Sequence, residues 1–303
     1  MSNSAKTAEK SFFARNAPLF RRFLVSFILL IGLMVVWEGL KWFAGDPWRP
    51  DNNPFKIAHQ PFWRVKYFSD LNLPHLWDIF GAFADESRRN GPPLIQTLAV
   101  ASVYTFREAF SGFVLGGLLG FVLGALFAHL TLLERGCMPY VVASQTVPIL
   151  AIAPMIIIWL GQDWGSVAVI SAYLTFFPVT VSTLRGLRSP NPVAVELMRS
   201  YASTTWETLW KLRFPAALPY IFTALKVSAT ASVVGAIIGE LPSGIREGLG
   251  GAILNFNSYY ATKPSRLWAA IIVSALLGIL FFLAVSLIEY WVLKNRHRVI
   301  ESR

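Results

Sequence analysis

The chain has 303 residues, of which 54% are hydrophobic and 15% charged, and its mean hydropathy is +0.51. That balance excludes a soluble two-domain protein of this length and places the chain among polytopic membrane proteins. The net charge of +10 does not indicate nucleic acid, because the basic residues gather at the ends and in one internal loop, not on a face beside exposed aromatics. Positively charged cytoplasmic segments account for it instead. The single cysteine, Cys137, excludes an intrachain disulfide and has no metal-ligand spacing around it.

Residues 1–22 form a basic tail carrying Lys6, Lys10, Arg15, Arg21 and Arg22 against one acid, Glu9. Residues 23–43 are predicted to be the first membrane span. Their apolar run is longer than a signal-peptide core and no small-residue cleavage site follows it, so the span is read as uncleaved, with its N-terminus in the cytoplasm. Glu38 and Lys41, three residues apart near its outer end, are read as interfacial anchors. Residues 44–93, rich in Pro, Asp and Trp, are predicted to be an extracytoplasmic loop. The part spanning 46–72 has no role legible in its residues.

Residues 94–293 are predicted to hold the transmembrane core. Leu94–Phe110 is mixed in character, with Arg107 beside Glu108, and is expected to run along or just inside the outer surface before a second span, Ser111–Leu130. Gly112, Gly116, Gly120 and Gly124 recur every four residues in that span, making a flat ridge suited to close helix packing. Leu132–Met138 reads as a short cytoplasmic turn. The third span, Pro139–Leu160, should be kinked by Pro148 and Pro154, which free carbonyls from helical bonding. Gln145 and Thr146 precede the first kink. With Pro148 they are candidates for a translocation path, since broken helices with polar neighbours line such paths; bonding to a neighbouring helix explains them equally well. The fourth span, Ser166–Leu187, contains Pro178 and ends in the basic pair Arg185 and Arg188.

A polar stretch, 189–219, interrupts the apolar pattern and cannot lie in lipid. It reads as two short helices. Asn191 caps the first, with Pro192 at its first position. Thr204 and Glu207 form a capping box for the second, which Pro215 should end near Arg213. The fifth span, Tyr220–Leu241, has Lys226 near its cytoplasmic end, where its stem can snorkel to the interface, and Ser228 and Glu240 as further path candidates. An acid at membrane depth is costly and functional by default, whereas at a helix end it is simply solvated. Gly248-Leu249-Gly250-Gly251 lacks the G-K-[ST] and the preceding strand of a phosphate loop, so a re-entrant or outer-surface segment is expected there. The last span, Leu267–Leu293, leads to a basic tail, 294–303. Six spans place both termini and the 189–219 loop in the cytoplasm. The fold class is therefore all-α, with about six transmembrane helices.

The polar loop carries a resemblance. Glu196, Ala202 six residues later and Leu212-Arg213-Phe214-Pro215 resemble the EAA loop, E-A-A-x3-G-x9-I-x-L-P, of bacterial ABC-importer permeases. Leu197 and Met198 stand for the two alanines and Ala202 for the glycine. Leu73-Pro74-His75-Leu76-Trp77 is similar to the L-P-S-P segment of the nitrate, sulfonate and taurine branch. The resemblance implies a type I ABC-importer permease fold in the bacterial cytoplasmic membrane. It implies coupling to cytoplasmic ABC ATPase subunits through Glu196, Leu197, Met198, Ala202, Leu212 and Pro215, a second permease subunit (identical or not), and an extracytoplasmic substrate-binding protein. It further implies that ATP and magnesium bind the ATPase and that this chain holds no cofactor, metal or catalytic residue. The substrate class implied is a small polar nutrient such as nitrate, a sulfonate, taurine or a pyrimidine-like compound. A stand-alone secondary transporter or channel is the alternative class; it calls for inverted repeats and several intramembrane ionisable groups, and the sequence offers no clear repeat and few such groups.

Overall fold

The structure is a computed structural model that describes the backbone of residues 2–50, 53–87 and 91–301 and, within these, the side chains of residue 21 and of 24–294. The other basic side chains of the 1–22 tail and those of 295–303 lie outside the described residues. Among the described residues the secondary structure is helical, with two isolated β-bridges and no strand. Five helices are long and apolar enough to cross a membrane, and a sixth span results if one sharply bent helix pair counts as one. The chain divides into two compact units, residues 1–83 with 260–265, and residues 84–259 with 266–303.

In the first unit, α1 runs Ser2–Ala44, its Leu24–Ala44 portion being the apolar span. Glu38 and Lys41 do not act as interfacial anchors. Lys41 is fully buried and its Nζ donates to Asp70 Oδ1 at 2.6 Å and to the Leu73 carbonyl at 2.5 Å. Glu38 accepts from the Leu76 backbone N–H at 2.7 Å and pairs with His75 Nδ1 at 2.7 Å. It thereby satisfies a first-turn donor of α2, Leu76–Ala82. A charge that far from bulk water is retained only where a partner offsets its desolvation, and the loop supplies both partners. Trp42, Trp48, His59, His75 and Trp77 stack into one aromatic cluster that closes the loop upon itself. Burial pushes the Asp78 carboxyl above its ordinary value, with His75 opposing the shift.

In the second unit, α3 spans Leu94–His129 as one helix of 36 residues. No separate segment precedes the second span, because nothing between Leu94 and Phe110 breaks a helix. The Arg107 guanidinium lies 4.3 Å over the Trp164 ring, and Glu108 is buried. The expected turn at Leu132–Met138 is likewise helical. α4 covers Thr131–Ser144 with Pro139 inside it, and α5 covers Ile149–Leu160. The two meet at 99°, so the third span is broken at residues 145–148, more sharply than a proline kink. α6, Trp164–Leu187, starts at Asp163, whose side chain accepts from the Ser166 N–H.

α7, Pro192–Ser200, and α8, Thr205–Thr208, form the polar loop. Pro215 does not end the second helix. A π turn over Leu209–Arg213 leads directly into α9, Phe214–Ser243, giving one continuous helix from Thr205 to Ser243. The proline sits at the first turn of α9, where its missing N–H matters least, and the wider π turn absorbs the ring. Gly244 then terminates α9 with φ of 73°, a left-handed position that glycine adopts without penalty. α10, Leu249–Ser258, and α11, Pro264–Glu301, complete the unit.

Helix α3 packs chiefly on α6, and α6 on α9. A Cβ on Gly112 would stand 2.5 Å from the Ala168 carbonyl oxygen, one on Gly116 2.8 Å from Thr175 Cβ, one on Gly120 2.9 Å from Val179 Cβ, and one on Gly124 2.5 Å from the Thr180 carbonyl oxygen. All four glycines thus face α6 at backbone contact distance. Between α3, α6, α9 and α11 the apolar core is built from Ala109, Val167, Ala229, Val233, Phe281 and Val285.

Candidate functional site

The candidates in the 189–219 loop are brought together by local chemistry. Asn191 Oδ1 accepts from the Val193 N–H at 3.0 Å, setting the start of α7. At the other end the Ser203 N–H donates to the Met198 carbonyl and the Ala202 N–H to the Arg199 carbonyl, the paired bonds of a Schellman motif. Its left-handed residue is Ala202, at φ 52°, where the EAA pattern has glycine. Thr204 Oγ1 accepts from the Glu207 N–H at 3.2 Å, and Glu207 Oε2 accepts from the Thr204 N–H at 3.0 Å. Lys211 pairs with Glu207 one turn on, at 2.9 Å. The result is two short, well-terminated helices at a fixed turn. Leu197, Tyr201, Trp206 and Trp210 project from them largely exposed, and Glu196 is exposed beside Leu197. Met198 is half-buried, as are Leu212 and Pro215. The surface offers apolar and aromatic side chains at helical spacing with one acid among them, a composition suited to filling a groove on another protein.

The path candidates are not brought to one place. Gln145, Thr146 and Pro148 are exposed at the break between α4 and α5. The break frees the Ser144 carbonyl, which accepts from the Tyr173 hydroxyl of α6, and Thr146 Oγ1 donates back to the Ala143 carbonyl at 2.7 Å. Ser228 is buried and its hydroxyl donates to the Thr175 carbonyl at 3.4 Å, a helix–helix contact between α9 and α6. None of the five lines the cleft of about 610 Å³ at the start of α4, which is bordered by Glu134, Arg135, Met138, Pro139 and Arg188. There Arg188 grips both Glu134 oxygens, at 2.8 and 2.6 Å, and the Phe127 carbonyl at 3.0 Å.

Glu240 is not solvated at a helix end. It is fully buried, and its carboxylate lies in the glycine-rich turn that opens α10. Oε1 accepts from the Thr105 hydroxyl at 2.6 Å, Oε2 from the Gly250 N–H, and the Thr105 oxygen accepts from the Leu249 N–H at 2.8 Å. A Cβ on Gly248 would overlap the carboxyl group, and one on Gly250 would stand 2.6 Å from the Ile237 carbonyl. The glycines therefore cradle an anion at a helix N-terminus, and that anion is a side chain of the same protein. Glu108 of α3 is buried as well, and neither of its carboxyl oxygens has a hydrogen-bond partner among the described residues. Nearer the other end of α9, the Lys226 Nζ pairs with Glu289 of α11 at 2.6 Å. Spacing in the sequence carries no signal for the Lys226–Glu289, Thr105–Glu240 and Thr105–Leu249 pairings, whose partners are 63, 135 and 144 residues apart.

The described residues thus hold a bundle of long apolar helices with one sharply bent helix pair and a capped polar helix pair between spans. Residues 116–294, more than half of the chain, match the family described as the binding-protein-dependent transport system inner membrane component, and the chain belongs to that family. It is 36% identical over 196 residues to the formylaminopyrimidine transport permease protein ThiX of Halalkalibacterium halodurans, covering 64% of this chain and 73% of that one. It is 30% identical over 185 residues to the riboflavin transport system permease protein RibX of Chloroflexus aurantiacus, covering 61% and 68%. Over 197 residues it is 27% identical to the taurine transport system permease protein TauC of Escherichia coli, covering 65% and 69%. The protein is a multi-pass ABC transporter permease of the sulfonate, taurine and nitrate type.

Proposed function

We propose that this chain forms half of the membrane pathway of an ATP-driven importer and that α7 and α8 couple it to ATP hydrolysis on a separate cytoplasmic ATPase. The observation that carries the reading is the exposed set Glu196, Leu197, Tyr201, Trp206 and Trp210 on two helices fixed by a Schellman turn and a capping box. Such a surface is stiff and unpartnered within the chain. Glu196, Leu197, Met198, Ala202, Leu212 and Pro215 make the docking element, a second permease subunit completes the pathway, and a soluble binding protein delivers substrate from outside. ATP and magnesium reside on the ATPase; this chain binds neither and catalyses nothing. Both termini and the coupling loop face the cytoplasm. The cargo is a small polar nutrient, within the range that the relatives' names span, from taurine to formylaminopyrimidine. Gln145, Thr146 and Pro148 at the α4–α5 break are the residues placed to meet it, whereas Ser228 and Glu240 support the helices around it.

The test is purification of the permease with the ATPase encoded beside it, for wild type and Glu196→Lys. Wild type is expected to retain the ATPase and the charge reversal to lose at least nine-tenths of it, with the permease still folded and monodisperse. Transport that proceeds on an ion gradient, with no ATPase bound to either form, rejects the reading in favour of a secondary transporter.

A further inference from the structure

The loop segment 62–67, Phe62-Trp63-Arg64-Val65-Lys66-Tyr67, is exposed at every position. Phe62 and Trp63 are each 75% exposed and Tyr67 79%, as open as the outward side chains of the neighbouring span, such as Leu29 at 68%. These aromatics are not a loosened piece of core, because the loop's interior is already closed by Trp42, Trp48, His59, His75 and Trp77. Their position is fixed by the backbone. The Trp63 N–H donates to the Phe43 carbonyl at 3.2 Å and the Val65 N–H to the Ala44 carbonyl at 3.1 Å, while the Phe43 and Phe62 rings stack with centroids 6.1 Å apart. Phe43 and Ala44 end the apolar run of α1. The segment is therefore pinned at the depth where that helix leaves the hydrocarbon.

We propose that residues 62–67 form a membrane-surface anchor, with Phe62, Trp63 and Tyr67 inserted at the boundary between headgroups and acyl chains and Arg64 and Lys66 on lipid phosphates. Aromatic rings with a polar edge concentrate at this level of a bilayer, and long basic side chains beside them reach the phosphates while their stems stay in the apolar layer. Three rings and two cations within six residues fit a phospholipid surface, which offers apolar depth and anionic groups within one side-chain length. The anchor gives the extracytoplasmic loop a second attachment to the membrane beside its own span.

The complex is reconstituted in nanodiscs containing phosphatidylethanolamine and phosphatidylglycerol, with Cys137→Ser and a nitroxide label at Trp63→Cys. The expected result is an oxygen-to-nickel-chelate accessibility ratio several-fold above that of the free aqueous label, which places position 63 below the headgroups. The unlabelled chain supplies a second readout. In bromolipid discs Trp63→Phe should lower the lipid-quenched fraction of tryptophan emission and leave the iodide-quenched fraction unchanged. A label that behaves as the aqueous reference overturns the proposal. So does one that is aqueous alone and becomes shielded only when the substrate-binding protein is added, which would make the segment a protein-docking surface. Loss of iodide-quenched rather than lipid-quenched emission in Trp63→Phe also overturns it.

Discussion

At the scale of single residues, Ala202 carries a conformational cost at the turn between α7 and α8. A side chain at φ 52° pays about 1 kcal/mol or more relative to glycine. Ala202→Gly should therefore stabilise the purified permease by about 1 kcal/mol in thermal unfolding, while Ala202→Val should destabilise it, since a branched side chain fits the left-handed region worst. Thr105 is the other residue with a sharp expectation. Its hydroxyl serves Glu240 and the Leu249 N–H together, so Thr105→Val leaves two buried groups without a partner. The loss should be about 2 kcal/mol or more, with faster proteolysis across 245–259. Ser232→Ala, which removes a bond to the Ala229 carbonyl of its own helix, should cost less than about 1 kcal/mol.

At the scale of elements, α3 and α6 approach through glycine. Gly116→Leu forces a side chain into Ala172 and Thr175 and should prevent the pair from closing, read as loss of monodisperse protein in detergent. Gly117 lies one residue away, and its Cβ would meet nothing nearer than Leu225 at 3.8 Å. Gly117→Ala should be neutral or stabilising by up to about 1 kcal/mol, because alanine is the better helix former. The α9–α11 contact is tested by charge. Lys226→Met strands Glu289, and the double variant Lys226→Met/Glu289→Met should be about 2 kcal/mol more stable than the single one, since the neutral pair leaves no unpaired ion among apolar side chains. Element boundaries were legible where the signal was local. The Thr204–Glu207 capping box and the Asn191–Pro192 start read directly because both halves lie within a turn of each other. Pro215 misled, since behind a π turn it has room to sit in a helix. The mixed stretch 94–110 misled because the ring that receives Arg107, at Trp164, is more than fifty residues away.

At the scale of the molecule, the hydropathy pattern contained the five or six apolar helices, and the polar interruption at 189–219 marked the capped helix pair between two of them. What the pattern could not contain was the role of Glu240. It reads as an acid near a helix end, and only the fold delivers Thr105 and the Gly248–Gly251 turn to it. The uninterrupted helix from Thr205 to Ser243 has a mechanical consequence. At 39 residues it is a rod about 58 Å long, with the polar loop at one tip and the Glu240 cradle near the other. A tilt of about 5° about the loop end carries the far tip through about 5 Å, roughly the diameter of a small solute. A shaft of this length thus turns a slight tilt at one tip into a displacement of solute size at the other, with the π turn as a compliant joint between the polar loop and the span.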